Sequence, residues 1–231
     1  MAIDIRVLLK SRKLFFCILL ILLLMGIFSV LIFGNSVLFN STNAHHPFWL
    51  NVFFINYTFM GDGIFALCLA AIFIFYFKRR KEGTALLVAF IFTEILVQLI
   101  KNSLNYSNPG LYFEPGQTFL TTDDTYASGY QGFLSGHTAI AFALVTVFLS
   151  ALKNKIWQLP LLSAAVLLAY SRMYLAQHSL PDILIATILG TSAGLLAVHV
   201  VYNRSYSFIA FRKIFKARYK DPLPSTTIQP V

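Results

Sequence analysis

Charged side chains are scarce in this chain, at 12% of its 231 residues, whereas a soluble domain carries about a quarter. That shortage excludes an ordinary water-facing surface. Acidic residues are the rarest charged class, nine in all. They form no carboxylate cluster that would hold a hard cation, so neither a metal nor any other cofactor is expected. Cysteine is almost absent. Cys17 and Cys68 both fall inside apolar runs, which reads them as small buried hydrophobes with no disulfide framework and no metal-ligand spacing. The net charge of +9 raises the question of nucleic acid. The basic residues, however, sit in short clusters beside apolar runs, a membrane-topology pattern, and no nucleic-acid partner is expected.

What the chain has in excess is apolar surface: 58% hydrophobic residues, with 23 Phe among them. Six stretches, near 14–33, 61–77, 84–104, 136–152, 156–176 and 182–202, approach the roughly 20 helical residues that cross a bilayer core. The first follows a basic leader of Arg6, Lys10, Arg12 and Lys13. Its apolar run exceeds the roughly 7–15 residues of a secretory signal core, and no small-x-small cleavage site follows, so it reads as a retained span. Residues 47–60, rich in Phe and Trp, are too short and mixed to cross and read as an interfacial helix leading into the second span. The expected fold is therefore all-α, a polytopic bundle of six transmembrane helices. Residues 1–13 form a basic leader, 14–202 the membrane domain, and 203–231 a basic tail that reads as a surface-binding segment followed by disorder.

Basic residues set the orientation. Sixteen of the eighteen Lys and Arg residues lie before the first span or after the second, fourth and sixth, and the loops on the other side contain none. The positive-inside rule makes the basic side cytoplasmic, with both termini inside a multi-pass protein of the cell (inner or plasma) membrane. The two exceptions are Lys101 and Arg172. Each falls near the outer end of its span, where an unpaired cation is costly and a functional role is the default reading.

The remaining polar residues of these outer ends form a chemical set. Ser135 is a good N-cap for the fourth span and Gly136 lets a backbone amide approach closely, so that helix start is a prepared anion site. Pro181 suits the first turn of the sixth helix. Asp182, four residues after His178, can come within reach of its imidazole. Together with His137 the outer face offers an imidazole nucleophile, an orienting carboxylate, a second imidazole to act as acid, and cationic and hydroxyl donors for an oxyanion. Phosphoryl transfer through a phosphohistidine needs that set.

Ser171-Arg172, His178 and Asp182, with Leu134-Ser135-Gly136-His137 and with Lys101 ahead of Asn108-Pro109, resemble the signature motifs S-R-x5-H-x3-D, P-S-G-H and K-x6-R-P. These belong to the type 2 phosphatidic acid phosphatase superfamily, which also contains the vanadium haloperoxidases. The resemblance covers about residues 61–202, including a Gly61-Asp62 pair at the second span. It implies an integral membrane lipid phosphatase acting on a lipid phosphomonoester or pyrophosphate at the extracytoplasmic face. His178 would attack phosphorus, Asp182 would hold its tautomer, and His137 would protonate the leaving oxygen and then activate water. Lys101, Ser135, Gly136, Arg172 and the residue at Asn108 would hold the phosphoryl oxygens. Asn108 replaces an Arg and supplies one neutral amide in place of a charged fork, a loss of about 1.5–3 kcal/mol of contact. The implied partners are a lipid phosphate and the surrounding lipids. Two alternatives use the same pocket: a phosphotransferase to another lipid, or a non-catalytic lipid-phosphate binding or transport protein. Glu94 lies two helical turns before Lys101 on the same face, either as a functional carboxylate or as one hydrogen-bonded between helices. The segment 105–134, aromatic and long for a connection, is expected to cover the site. His45, His46 and His199 read as interface or packing residues.

Overall fold

The computed structural model describes the backbone of residues 5–103, 134–152 and 154–218, with side chains through residue 203. Among the described residues there is no strand, and nine α-helices carry the fold. They are α1 (Ile5–Ser11), α2 (Lys13–Phe33), α3 (Asn35–Thr42), α4 (Phe48–Tyr57), α5 (Gly63–Ala71), α6 (Arg80–Ser103), α7 (Gly136–Ala151), α8 (Gln158–Tyr174) and α9 (Leu180–Arg218).

Four segments are long and apolar enough to cross a bilayer: Lys13–Phe33, Arg80–Ser103, Lys155–Tyr174 and Leu180–Asn203. A fifth arises if Phe48–Gly61 and Gly63–Tyr76, bent by 57° at Asp62, count as one broken span. The stretch read as an interfacial helix is thus the first limb of that bent pair. The bend has a local cause. Asp62 is extended (φ −77°, ψ 150°), and its Oδ1 accepts the Ile64 N–H at 2.8 Å, which ends one helix and caps the next. Beyond residue 202, where the sequence suggests that the last span ends, α9 continues as helix to Arg218.

The helix α7 has only 16 residues, short for a span, because it is the enclosed centre of the bundle. Thr138 to Val147 are all buried. Its backbone lies very close to α9. A Cβ on Gly190 would collide with the Ala139 backbone, and one on Gly194 would stand 2.7 Å from both the Ala143 carbonyl oxygen and Thr146 Cβ. Small residues four apart on both helices let the two backbones pack directly, the usual solution where lipid removes the hydrophobic drive. Ala66, Ala70, Ala85, Leu86 and Ala89 pack on one side of this pair, and Phe15, Leu19, Leu162 and Ala165 on another. At the end of α7 away from Gly136, Arg12 Nη2 donates to the Leu152 carbonyl and Arg79 Nη2 to the Ala151 carbonyl at 3.3 Å. Two cations thereby satisfy the free carbonyls at a helix C-terminus.

Cys17 and Cys68 are exposed on outward faces of the bundle, not buried. The sequence reading fails there because a membrane protein is apolar on both faces of a helix, so an apolar run no longer marks the protein interior.

Candidate active site

The residue pattern around the last motif is a pair of local structures. At its C-terminus α8 closes with a Schellman turn: Ala176 N–H donates to the Met173 carbonyl at 3.0 Å and Gln177 N–H to the Arg172 carbonyl at 3.1 Å. Ala176 takes the left-handed position, φ 55°. The Arg172 carbonyl also accepts the His178 N–H at 3.2 Å, so the turn brings the imidazole back beside the arginine. Three residues on, α9 opens with a capping box. Asp182 Oδ2 accepts from the Ser179 N–H at 2.9 Å and from the Ser179 hydroxyl at 2.8 Å. One helix end and one helix start therefore fix the five- and three-residue spacings that separate Arg172, His178 and Asp182.

Arg172 and His178 line a cavity of about 350 Å³ together with Lys101, Gly136 and His137. Five of the eight expected site residues thus meet in one place, drawn from α6, α7, α8 and the α8–α9 turn. Arg172 is 6% exposed; its Nη1 donates to Thr58 Oγ1 at 2.8 Å, while its Nε has no partner among the described residues. His178 is 4% exposed, and its Nδ1 stands 4.0 Å from Asp182 Oδ2 without a hydrogen bond. Burial first, then the charges of Arg172 and Lys101, hold the His178 pKa well below its ordinary value. The ring is therefore neutral at physiological pH.

Ser135 and Asp182 do not line the cavity. Ser135, fully buried, caps α7: its Oγ accepts the Thr138 N–H at 3.3 Å and the Thr138 hydroxyl at 2.9 Å. Asp182 stands behind His178. The Ser171 hydroxyl bonds back to the Leu168 carbonyl at 2.6 Å within its own helix. Asn108 and the segment expected to cover the site lie outside the described residues. Leu134, the residue that departs from the second motif, has φ 94°, a value that a proline ring cannot reach.

Two glycines serve the site differently. A Cβ on Gly61 would stand 2.8 Å from the His137 carbonyl oxygen and 2.9 Å from His137 Cβ, so Gly61 lets the bent pair lie against the start of α7. A Cβ on Gly136 would meet only Val97 Cγ1, at 3.9 Å. Packing among the described residues does not require glycine there, and the space beside the Gly136 amide is open.

Sequence reasoning left Asp62, Gln98 and Thr58 without a site role. Asp62 and Gln98 line the cavity, and so does Glu94. Residues 94, 98 and 101 are spaced by four and three along α6, so one helix face presents a carboxylate, an amide and an ammonium. Periodicity around Lys101 carries that signal; nothing in the sequence carries one for Thr58. Of the outlying histidines, His46 lies over Tyr174 at 4.5 Å between ring centres, while His199, expected to pack, is exposed with its Nδ1 2.9 Å from Asn203 Nδ2. Among the described residues no group of three His, Cys, Asp or Glu side chains is placed to hold a metal.

A buried arginine, a half-buried lysine, two imidazoles and a helix start meet around one cavity in an apolar helical bundle, an arrangement suited to an anion in a membrane protein. The PAP2 superfamily profile matches residues 82–206, and the chain belongs to that superfamily. It is 27% identical over 202 residues to an undecaprenyl-diphosphatase of Sulfolobus acidocaldarius, covering 82% of this chain and 92% of the relative. It is 28% identical over 136 residues to a lipid A 4'-phosphatase of Porphyromonas gingivalis, covering 57% of this chain and 56% of that protein's length. The crystal structure of Aquifex aeolicus LpxE superposes with a TM-score of 0.60 at 27% identity, covering 71% of this chain and 94% of the other. Family and relatives support a membrane hydrolase of phosphoric esters.

Proposed function

We propose that the protein is a six-span lipid phosphatase that hydrolyses a lipid phosphomonoester or diphosphate through a phosphohistidine, with its cavity on the extracytoplasmic face. The observation that carries this reading is the convergence of Lys101, His137, Arg172 and His178 on one cavity. The topology rests on the sixteen basic residues grouped at one set of helix ends, including Arg12 and Arg79 at the far end of α7. In this arrangement the termini are cytoplasmic, and the membrane domain spans 14–202 between a basic leader and a basic tail.

In the first half-reaction, His178 Nε2 forms a bond to phosphorus as the bond to the leaving oxygen breaks, and His137 donates its proton to that oxygen. Nδ1 of His178 faces Asp182, so the positive charge that develops on the ring meets a carboxylate. Arg172 Nε, which lacks a partner among the described residues, Lys101 and the Gly136 amide take the charge on the phosphoryl oxygens. Ser135 supports that amide by capping α7. In the second half-reaction, His137 takes a proton from water, water oxygen bonds to phosphorus, and the P–N bond breaks to return neutral His178 and free phosphate.

The test is phosphate release from lipid phosphates by purified protein in detergent, with vanadate as inhibitor. His178→Ala abolishes turnover in this reading. Turnover retained by that variant at more than about a hundredth of the starting rate would exclude the covalent route.

A further inference from the structure

We infer that Asp62 and Glu94 make this cavity selective for lipid phosphomonoesters over lipid diphosphates. The inference rests on the phosphatase reading above and concerns the substrate class of the same site.

Among the described residues the charged groups lining the cavity are two cations, Lys101 and Arg172, and two carboxylates, Asp62 and Glu94. Formal charge within the cavity is therefore balanced before substrate arrives. Asp62 gives one oxygen to the Ile64 amide. Among the described residues Glu94 makes no hydrogen bond or ion pair; its neighbour on the same α6 face is Lys101, roughly 10 Å away along the axis. Residues 104–133 contain Glu114, Asp123 and Asp124 but no Lys or Arg, and position 108 is Asn.

The two substrate classes place different demands on such a cavity. A monoester brings one phosphoryl group, which Lys101, Arg172 and the α7 amide can hold, and its leaving group is a neutral alcohol once His137 has protonated it. A diphosphate brings a second phosphate as leaving group. Its charge needs a separate cation, and the remaining charged groups that line the cavity are the two carboxylates. A like charge in such a position selects against the wrong ligand by repulsion without adding a contact to the right one.

The experiment compares farnesyl monophosphate with farnesyl diphosphate, which share one hydrocarbon chain, in the same detergent with the full-length protein. The wild type is expected to favour the monophosphate in kcat/KM by about tenfold or more, the effect of a like charge facing the leaving group. Glu94→Gln and, separately, Asp62→Asn, which keeps the cap, are each expected to move the ratio toward the diphosphate by about tenfold. Gln98→Lys, which adds a cation to the same face, is expected to move it in the same direction. Wild-type rates on the two substrates within about twofold of each other, or ratios unmoved in all three variants, overturn the selectivity. Release from neither substrate by the wild type overturns the phosphatase reading itself.

Discussion

His178 Nδ1 stands 4.0 Å from Asp182 Oδ2, and that same oxygen accepts both the amide and the hydroxyl of Ser179. The carboxylate thus has two duties: starting α9 and facing the His178 ring. Substitutions separate them. Ser179→Ala removes one hydrogen bond of the capping box and leaves the carboxylate in place, so it should lower stability by about 1 kcal/mol and kcat by less than tenfold. Asp182→Asn keeps an acceptor for the cap but loses the charge that stabilises the phosphorylated ring, and should lower kcat by about a hundredfold or more. Thermal melts in detergent alongside steady-state rates check both.

The two glycines beside His137 give opposite outcomes. Gly61→Ala drives a Cβ to 2.8 Å from the His137 carbonyl oxygen and 3.0 Å from Leu168 Cδ2, so the bent pair must shift. A loss of about 1–3 kcal/mol in stability follows. Gly136→Ala meets nothing closer than 3.9 Å among the described residues, so the melt should hold within about 0.5 kcal/mol while the methyl beside the amide obstructs the phosphoryl group and activity falls. A large destabilisation by Gly136→Ala would contradict this account.

Much of this site was legible because it is local. The Arg172–His178–Asp182 spacing shows in the sequence as a motif, although the Schellman turn behind it does not, because Ala176 takes the left-handed position that glycine usually marks. Ser135 as a cap was legible for the same reason. Contacts made across the bundle were not. Thr58 reaches Arg172 over 114 positions, and Asp62 enters the cavity only because the helix pair bends beside it. The outward faces of Cys17 and Cys68 were hidden by the lipid solvent, since apolar side chains face both the core and the bilayer. The bent span was hidden by composition, because Phe and Trp serve an interface and a span equally well.

Thr58 should act on catalysis only through Arg172. Its hydroxyl oxygen accepts from Arg172 Nη1 at 2.8 Å and fixes one side of the fork. Thr58→Val leaves a buried guanidinium donor without its acceptor, at a cost of about 1–3 kcal/mol shared between fold and transition state. The expected outcome is a fall in kcat of about tenfold with little change in KM, and partial rescue by Thr58→Ser. Arg172→Lys keeps the charge but not the planar fork and should be more severe than Thr58→Val. A milder effect from the lysine variant would mean that charge alone is read.

Acid should destabilise the wild type more than a variant lacking the buried imidazole. Burial and neighbouring cations lower the His178 pKa in the folded protein, so the unfolded chain binds a proton near pH 6.5 that the folded chain refuses. The unfolded state then carries more protons, and stability falls as pH drops below about 6.5 until the folded ring itself titrates. The slope from this one group is at most about 1.4 kcal/mol per pH unit. His178→Gln removes it, so the difference in melting temperature between wild type and variant should shift against the wild type from pH 7.5 to pH 5. A difference constant across that range would show that the folded ring titrates normally.

Ala176 marks a place where stability can be raised without touching the reacting groups. Its φ of 55° is the left-handed value that a C-terminal Schellman turn demands, and an L-residue there carries about 1–2 kcal/mol of strain. Glycine relieves that strain but gives the unfolded chain more freedom, an offset of up to about 1 kcal/mol. Ala176→Gly should therefore stabilise by about 0.5–1 kcal/mol, seen as a higher melting temperature. The hydrogen bonds from Gln177 and His178 to the Arg172 carbonyl should persist, so phosphate release should proceed at the wild-type rate. Ala176→Val tests the converse, because a β-branched residue resists this backbone more than alanine does. It should lower the melting temperature and, by loosening the turn that returns His178 to Arg172, slow turnover as well. A valine variant as stable and as active as the wild type would mean that the turn does not hold this conformation.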